Sequence, residues 1–257
     1  MVSTFAVFAL LAPVGSSAVP EAVDAQIRNY YEDALSAARA EPHKALAMLE
    51  LLLVPPQTSI YVDWTGVPPA VRPQFEVGLR RGVAAWEQAL GGECPFILNG
   101  QGNGTASIRV QFVDALASGD PHTKGELRIT RRITWGRSVH FTEFEGQIRV
   151  MKWARDGQYF TEDEITHVIA HELGHALGLG DTDRWDRVMG PVVIGRPYGK
   201  ISPEELAAVQ QFRNALEEEH ARISALAEQA ARGRPAVGSV GGSSALHEMG
   251  CPGCSDD

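Results

Sequence analysis

His167-Val-Ile-Ala-His171-Glu172-Leu-Gly-His175-Ala-Leu-Gly178-Leu-Gly-Asp181-Thr-Asp183-Arg-Trp-Asp186-Arg-Val-Met189-Gly190 is the stretch on which every other reading of this 257-residue chain depends. It holds H-E-x-x-H at His171, Glu172 and His175. An α-helix turns about 100° and rises about 1.5 Å per residue. The two histidines therefore stand one turn apart on one face, close enough to share an ion. Glu172 is offset to the side of that face. A carboxylate there can hold a water and take its proton without being a ligand. At Gly178 the chain must leave the helix, and Gly tolerates the positive φ that such an exit often needs. That turn can bring Asp181 back as a third ligand, with Asp183 and Asp186 as nearby alternatives. Three protein ligands leave a fourth position for water, which is how a catalytic zinc differs from a structural one. His167, one turn before His171, reads as a neighbour of the site or a surface residue rather than a ligand.

The flanks give the helix a start and a buried side. Thr161 with Glu164 three residues on is a capping box. Ile165, Ile169, Leu173 and Ala176 form an apolar stripe opposite the histidines, so the helix can pack on a core while its histidines face a cleft.

The run H-E-L-G-H-A-L-G-L-G-D at 171–181, followed by V-M-G at 188–190, resembles the metzincin metallopeptidases, and 171–179 is most similar to their matrixin branch. The resemblance implies a zincin-like α/β (α+β) fold, a small twisted mixed sheet with the active-site helix beneath it. It implies Zn2+ as cofactor, held by His171, His175 and Asp181, with Glu172 as general base, Gly178 at the turn and Met189 in a Met-turn that forms an apolar floor under the metal. The implied activity is endopeptidase, on protein or peptide substrates. Most metzincins carry His where Asp181 stands, and an Asp there resembles the snapalysin branch. A carboxylate ligand adds negative charge, so the metal acidifies its water less than with three imidazoles. Two readings from other classes stand beside this one: a metzincin-fold interaction protein without turnover, and a helical adaptor.

Composition is that of a soluble globular protein, 44% hydrophobic and 21% charged. A net charge of −9 argues against a nucleic-acid partner. Three cysteines (Cys94, Cys251 and Cys254) are too few for a disulfide scaffold. Residues 1–18 read as a secretory signal, with an apolar run at Phe5–Leu11 and Ser16-x-Ala18 for cleavage, although no Lys or Arg precedes it. The run is too short for a membrane span. The expected location is secreted or cell-envelope; oligomeric state is not readable.

Residues 19–57 read as a helical extension broken at Pro42, either a removable pro-segment over the cleft or a permanent part of the domain. The metallopeptidase domain is expected over 58–232. Strands are predicted at 60–64, 96–98, 107–113, 126–135 and 147–153, with an amphipathic helix over 73–90 carrying Phe75, Leu79, Val83, Trp86 and Leu90. In metzincins one antiparallel edge strand pairs with extended substrate; the resemblance makes Glu126–Trp135 the candidate here, its charges Glu126, Arg128, Arg131 and Arg132 suiting an exposed edge. In metzincins the residues after the Met-turn line the specificity pocket, here Val192, Val193, Ile194 and Tyr198. Ser202-Pro203-Glu204-Glu205 opens a helix to about Arg232. Residues 233–257, rich in Gly and Ser, read as a disordered tail with C-x-x-C at its end.

Overall fold

The computed structural model describes residues 19–99, 106–119, 123–135, 140–155, 157–232 and 244–250. The stretch read as an export signal lies outside them, as do Cys251 and Cys254.

Six strands form one mixed sheet in the order β2-β1-β3-β5-β4-β8. They are β1 (Thr58–Asp63), β2 (Phe96–Leu98), β3 (Ala106–Val113), β4 (Gly125–Trp135), β5 (His140–Met151) and β8 (Ser244–Gly250). The first four in that order run parallel, and β4 is antiparallel to both β5 and β8. Strand β3 shows why: Ala106, Ile108, Val110 and Phe112 alternate and are buried on one face. Short strands β6 (Trp153–Arg155) and β7 (Gln158–Tyr159), which the sequence pattern misses, pair before the histidine helix.

Strand β5 begins at His140, although residues 136–146 carry no readable pattern. Its inward positions are Phe144, Gly146, Ile148 and Val150. The glycine interrupts the apolar alternation, yet is required, because a Cβ there would lie 2.9 Å from Ile108 Cγ1.

Helices α3 (Arg72–Leu90) and α4 (Glu162–Ala176) pack against each other on the core side of the sheet. The α3 stripe Phe75, Leu79, Val83, Trp86 and Leu90 is buried as expected. The close approach of the two helices rests on Gly78 and Gly82. A Cβ would lie 2.6 Å from Ile165 Cβ at the first and 2.7 Å from Ile169 Cβ at the second. Trp86 Nε1 donates to the Ala170 carbonyl at 2.8 Å, so the crossing is also keyed in register.

The N-terminal extension is a helical pair, α1 (Ala25–Ala37) and α2 (Pro42–Glu50), with Pro42 at the start of the second. Both pack on α5 (Pro203–Arg232), joining Tyr31, Ala34, Ala45 and Leu49 to Phe212, Ala215, Leu216 and Ile223 in a second core. The long C-terminal helix thus serves as the floor on which the N-terminal pair packs.

Two expectations about β4 and the tail are corrected. The strand pleat carries alternate side chains inward, so Arg131 is buried, its guanidinium over the Phe144 ring at 5.4 Å, while Ile133 packs with Ala47 of α2 and Leu51 just after it. Nor is the edge open throughout. Within the stretch read as a disordered tail, Ser244–Gly250 forms β8, in register from Arg128↔Gly250 to Thr134↔Ser244. An edge strand offers unpaired N–H and C=O groups that a strand of almost any composition can use.

Candidate metal centre and catalytic carboxylate

Helix α4 starts where its sequence says it should. The Thr161 side chain accepts from the Glu164 N–H, and the Glu164 carboxylate accepts from the Thr161 N–H at 2.8 Å, a complete capping box. The helix reaches Ala176, and Gly178 follows with φ +99°, a left-handed conformation that suits glycine.

The turn brings Asp181 back over the face carrying His171 and His175. Asp181 Oδ1 lies 3.1 Å from His171 Nε2 and 3.3 Å from His175 Nε2, and the two nitrogens are 3.1 Å apart. This triangle fits a metal. Zinc bonds of ~2.0–2.1 Å at tetrahedral angles set ligand atoms roughly 3.3 Å apart. The rings are held in the matching tautomer. His171 Nδ1–H donates to the Val188 carbonyl and His175 Nδ1–H to the Leu179 carbonyl, each at 2.9 Å. Both Nε2 lone pairs are thereby turned towards the same point, as a ligand pair requires and a simple hydrogen bond does not. Among the described residues these three form the metal-competent cluster. Asp183 is exposed, and Asp186 is engaged by Arg184 at 2.9 Å.

Electrostatics fit the same reading. Burial works against a charge on His175, but the Asp181 hydrogen bond and the charges of Glu172 and Asp181 outweigh it and raise its pKa to about 9. Burial would also raise Asp181, yet the two histidines hold it well below the usual carboxylate range. Without metal the trio thus retains a proton, and ligation must displace it.

Glu172 is buried beside the ligand triangle without belonging to it, against the first residue of β4. A Cβ on Gly125 would overlap the Glu172 carboxylate. Burial raises the Glu172 pKa, opposed by the charges of His171 and His175. Gly125 was missed in the sequence, because only the register of β4 against α4 places it here.

Met189 is buried, with its Sδ against Gly174, between the two histidines on α4. Its N–H donates to Glu205 Oε1 and its carbonyl accepts from Thr182, both at 2.9 Å. Glu205 therefore has two tasks. Its Oε2 caps α5 through the Ser202 N–H, and its Oε1 fixes the Met-turn. Glu164 is also used twice, since its Oε1 accepts from the Gly195 N–H in the segment after the Met-turn. The capping pattern was legible in both cases; the second bond was not.

His167 is fully buried, which removes the surface reading. Its Nε2 faces the Val188 carbonyl at 3.1 Å, and its Nδ1 accepts from the Tyr198 N–H. That pattern demands a neutral ring protonated on Nε2. Burial, with the neighbouring His171 charge, lowers its pKa to about 4, which agrees. His167 thereby ties the Met-turn and the 195–198 segment to α4.

A family model described as Matrixin matches residues 73–213, more than half of the chain. Matrix metalloproteinase-19 of Homo sapiens is 34% identical over 111 residues, 42% of this chain and 20% of that protein. The Mus musculus protein of the same name is 43% identical over 44 residues, 17% of this chain and 8% of that protein. The chain thus spans at most about a fifth of the length of these curated relatives. Among solved structures, archaemetzincin from Methanopyrus kandleri aligns with a TM-score of 0.40 and 14% identity, covering 63% of this chain and 99% of that one.

Proposed function

From the premise that the chain belongs to the matrixin family, we propose that it is a zinc-dependent endopeptidase in which His171, His175 and Asp181 hold the metal and Glu172 is the general base. The observation that carries this is the convergence of two Nε2 lone pairs and a carboxylate oxygen beside a buried carboxylate of raised pKa.

Zinc held there supplies Lewis acidity towards a peptide carbonyl and a water. The chain supplies the rest. Glu172 takes a proton from the attacking water and passes it to the departing amine, and a base of raised pKa suits both transfers. No covalent acyl-enzyme is required. The start of β4, Gly125–Leu127, runs beside Glu172 with its outer edge uncovered by β8, and an extended peptide pairing there would lie across the carboxylate. Asp181 in place of a third imidazole leaves one more negative charge by the metal, so acidification of the water is weaker than with three histidines. Residues 1–18 support export, and no helix among the described residues is long and apolar enough to cross a membrane.

Zinc-loaded protein is expected to cleave unfolded casein. 1,10-Phenanthroline should abolish the cleavage and added zinc restore it. Absence of any chelator-sensitive cleavage would overturn the assignment.

A further inference from the structure

Segment 22–24 of the N-terminal extension is paired with the loop that carries Asp181. The Asp24 N–H donates to the Gly178 carbonyl at 2.9 Å, and the Gly180 N–H donates to the Ala22 carbonyl at 2.9 Å. These bonds flank Leu179, which forms an antiparallel bridge with Val23. Val23 and Leu179 are both buried. Gly180 passes so close that a Cβ would lie 3.3 Å from Asp24 Cα. Between these two bonds sits the Leu179 carbonyl that orients the His175 ring, and Asp181 follows directly.

We infer that residues 22–24 are a brace that pre-positions the third metal corner, making the extension part of the metal centre rather than a removable cover. This rests on the metal-site reading above. A loop of glycines on both sides of Leu179 is otherwise costly to order. The brace pays that ordering during folding, so it is not charged against zinc binding.

Asp24 allows a clean test. Its φ of −50° is close to that of proline, so Asp24→Pro removes the N–H while keeping the backbone path. Its side chain also caps α1 by accepting from Gln26 and Ile27, and Asp24→Ala removes that cap alone. Relative to Asp24→Ala, Asp24→Pro should weaken zinc affinity by about tenfold or more, the cost of ordering a residue or two. Affinity is read by competition with a chelating dye at a temperature where both variants are folded. Ala45→Gly in α2, a destabilising change away from the loop, should lower the melting temperature and leave zinc affinity unchanged. Equal zinc affinity in the two Asp24 variants would overturn the brace. Amide exchange of Gly180 in the zinc-free wild type decides independently of any variant: protection supports the brace, and protection only after zinc is added overturns it. If the wild type binds no zinc, the metal reading fails while the Gly180 exchange still reports on the brace.

A second observation stands apart from the first. Strand β8 occupies the outer edge of β4 from Thr134 to Arg128, and it runs so that its C-terminal end, Gly250, points along β4 towards Gly125 and Glu172. Three residues of strand, about 10 Å, separate Arg128 from Gly125. The geometry points to Ser244–Gly250 as the chain's own competitor for substrate, seated on the β4 edge already assigned to an extended peptide. This rests on the peptidase reading, because the edge leads to its catalytic carboxylate. A tethered strand competes at high effective concentration with any substrate in trans.

In the full chain, Leu246→Pro with His247→Pro breaks the pairing whichever of the two amides faces β4. Amides of Ile129–Ile133 should then exchange faster than in the wild type, and kcat/KM on a quenched peptide should rise by about tenfold or more. Displacement of the strand without faster cleavage would sink the proposal, as would equal exchange of these amides in both proteins. If neither zinc-loaded protein cleaves, the peptidase reading fails, and the exchange comparison still decides whether the strand is docked.

Discussion

Glu172→Gln keeps its zinc and loses about two to four orders of magnitude in kcat/KM, the range for removing a positioned general base. Gln has the shape of Glu, so the packing against Gly125 survives. What it lacks is a site for the proton of the attacking water. Zinc retention is expected because the atoms converging on the metal position belong to His171, His175 and Asp181, and Glu172 is not among them. Burial has already raised the affinity of this carboxylate for a proton, and the substitution removes that property alone. Zinc content by mass spectrometry and kcat/KM on a quenched peptide, measured on one preparation, test the two halves together. Near-wild-type turnover with zinc bound would falsify the role given to Glu172. Loss of zinc instead would mean that the carboxylate is a ligand.

Asp181→Ala has the second large effect. It removes one corner of the triangle and leaves two imidazoles, which do not make a closed set of three protein ligands. Changes to groups that merely orient a ligand typically cost 10–100-fold in metal affinity, so loss of the ligand itself should cost at least about 100-fold. Asp183→Ala is the control, because Asp183 is exposed and outside the cluster, and its zinc affinity should match the wild type. The reverse pattern would move the third corner to Asp183. Asp181→His tests the charge argument. It should retain zinc, and by removing a negative charge it should shift the acid limb of the rate profile to lower pH.

The parts of the site legible in the sequence were those decided within one helix and the turn after it. His171 and His175 sit one turn apart in any helix, Thr161 and Glu164 cap it by themselves, and Gly178 has one plausible use. Parts that depend on another element were not legible. Gly125 becomes a wall of the site only once β4 is in register with α4. Glu164 and Glu205 each had a readable task in a capping box, which concealed that the other oxygen holds a distant loop. His167 could be read as a neighbour of the site or a surface residue, and the choice was not legible because its partners, Val188 and Tyr198, are far along the chain. Among strands, only the first half of β5 was hidden, by Gly146, the residue that the close approach of Ile108 requires. The charges of β4 misled in the opposite direction. Arg131 reads as an edge residue by composition, but the pleat turns it inward. Gly78 and Gly82 did carry a signal, a helical pair of glycines on the buried stripe, whose meaning is a close helix crossing.

The three metal-facing groups lie between positions 171 and 181, yet the contacts that hold them come from both ends of the molecule. Two of the proposed corners lie on α4 itself. The loop of the third is hydrogen-bonded to residues 22–24, and the turn that orients His171 is bonded to Glu205 at the head of α5. On the proposed metal-site and brace readings, a newly made chain would offer zinc two of its three ligands until the N-terminal segment and the C-terminal helix have docked. Tight zinc uptake would in that sense be a checkpoint on biogenesis, reached only by molecules whose two ends have come together.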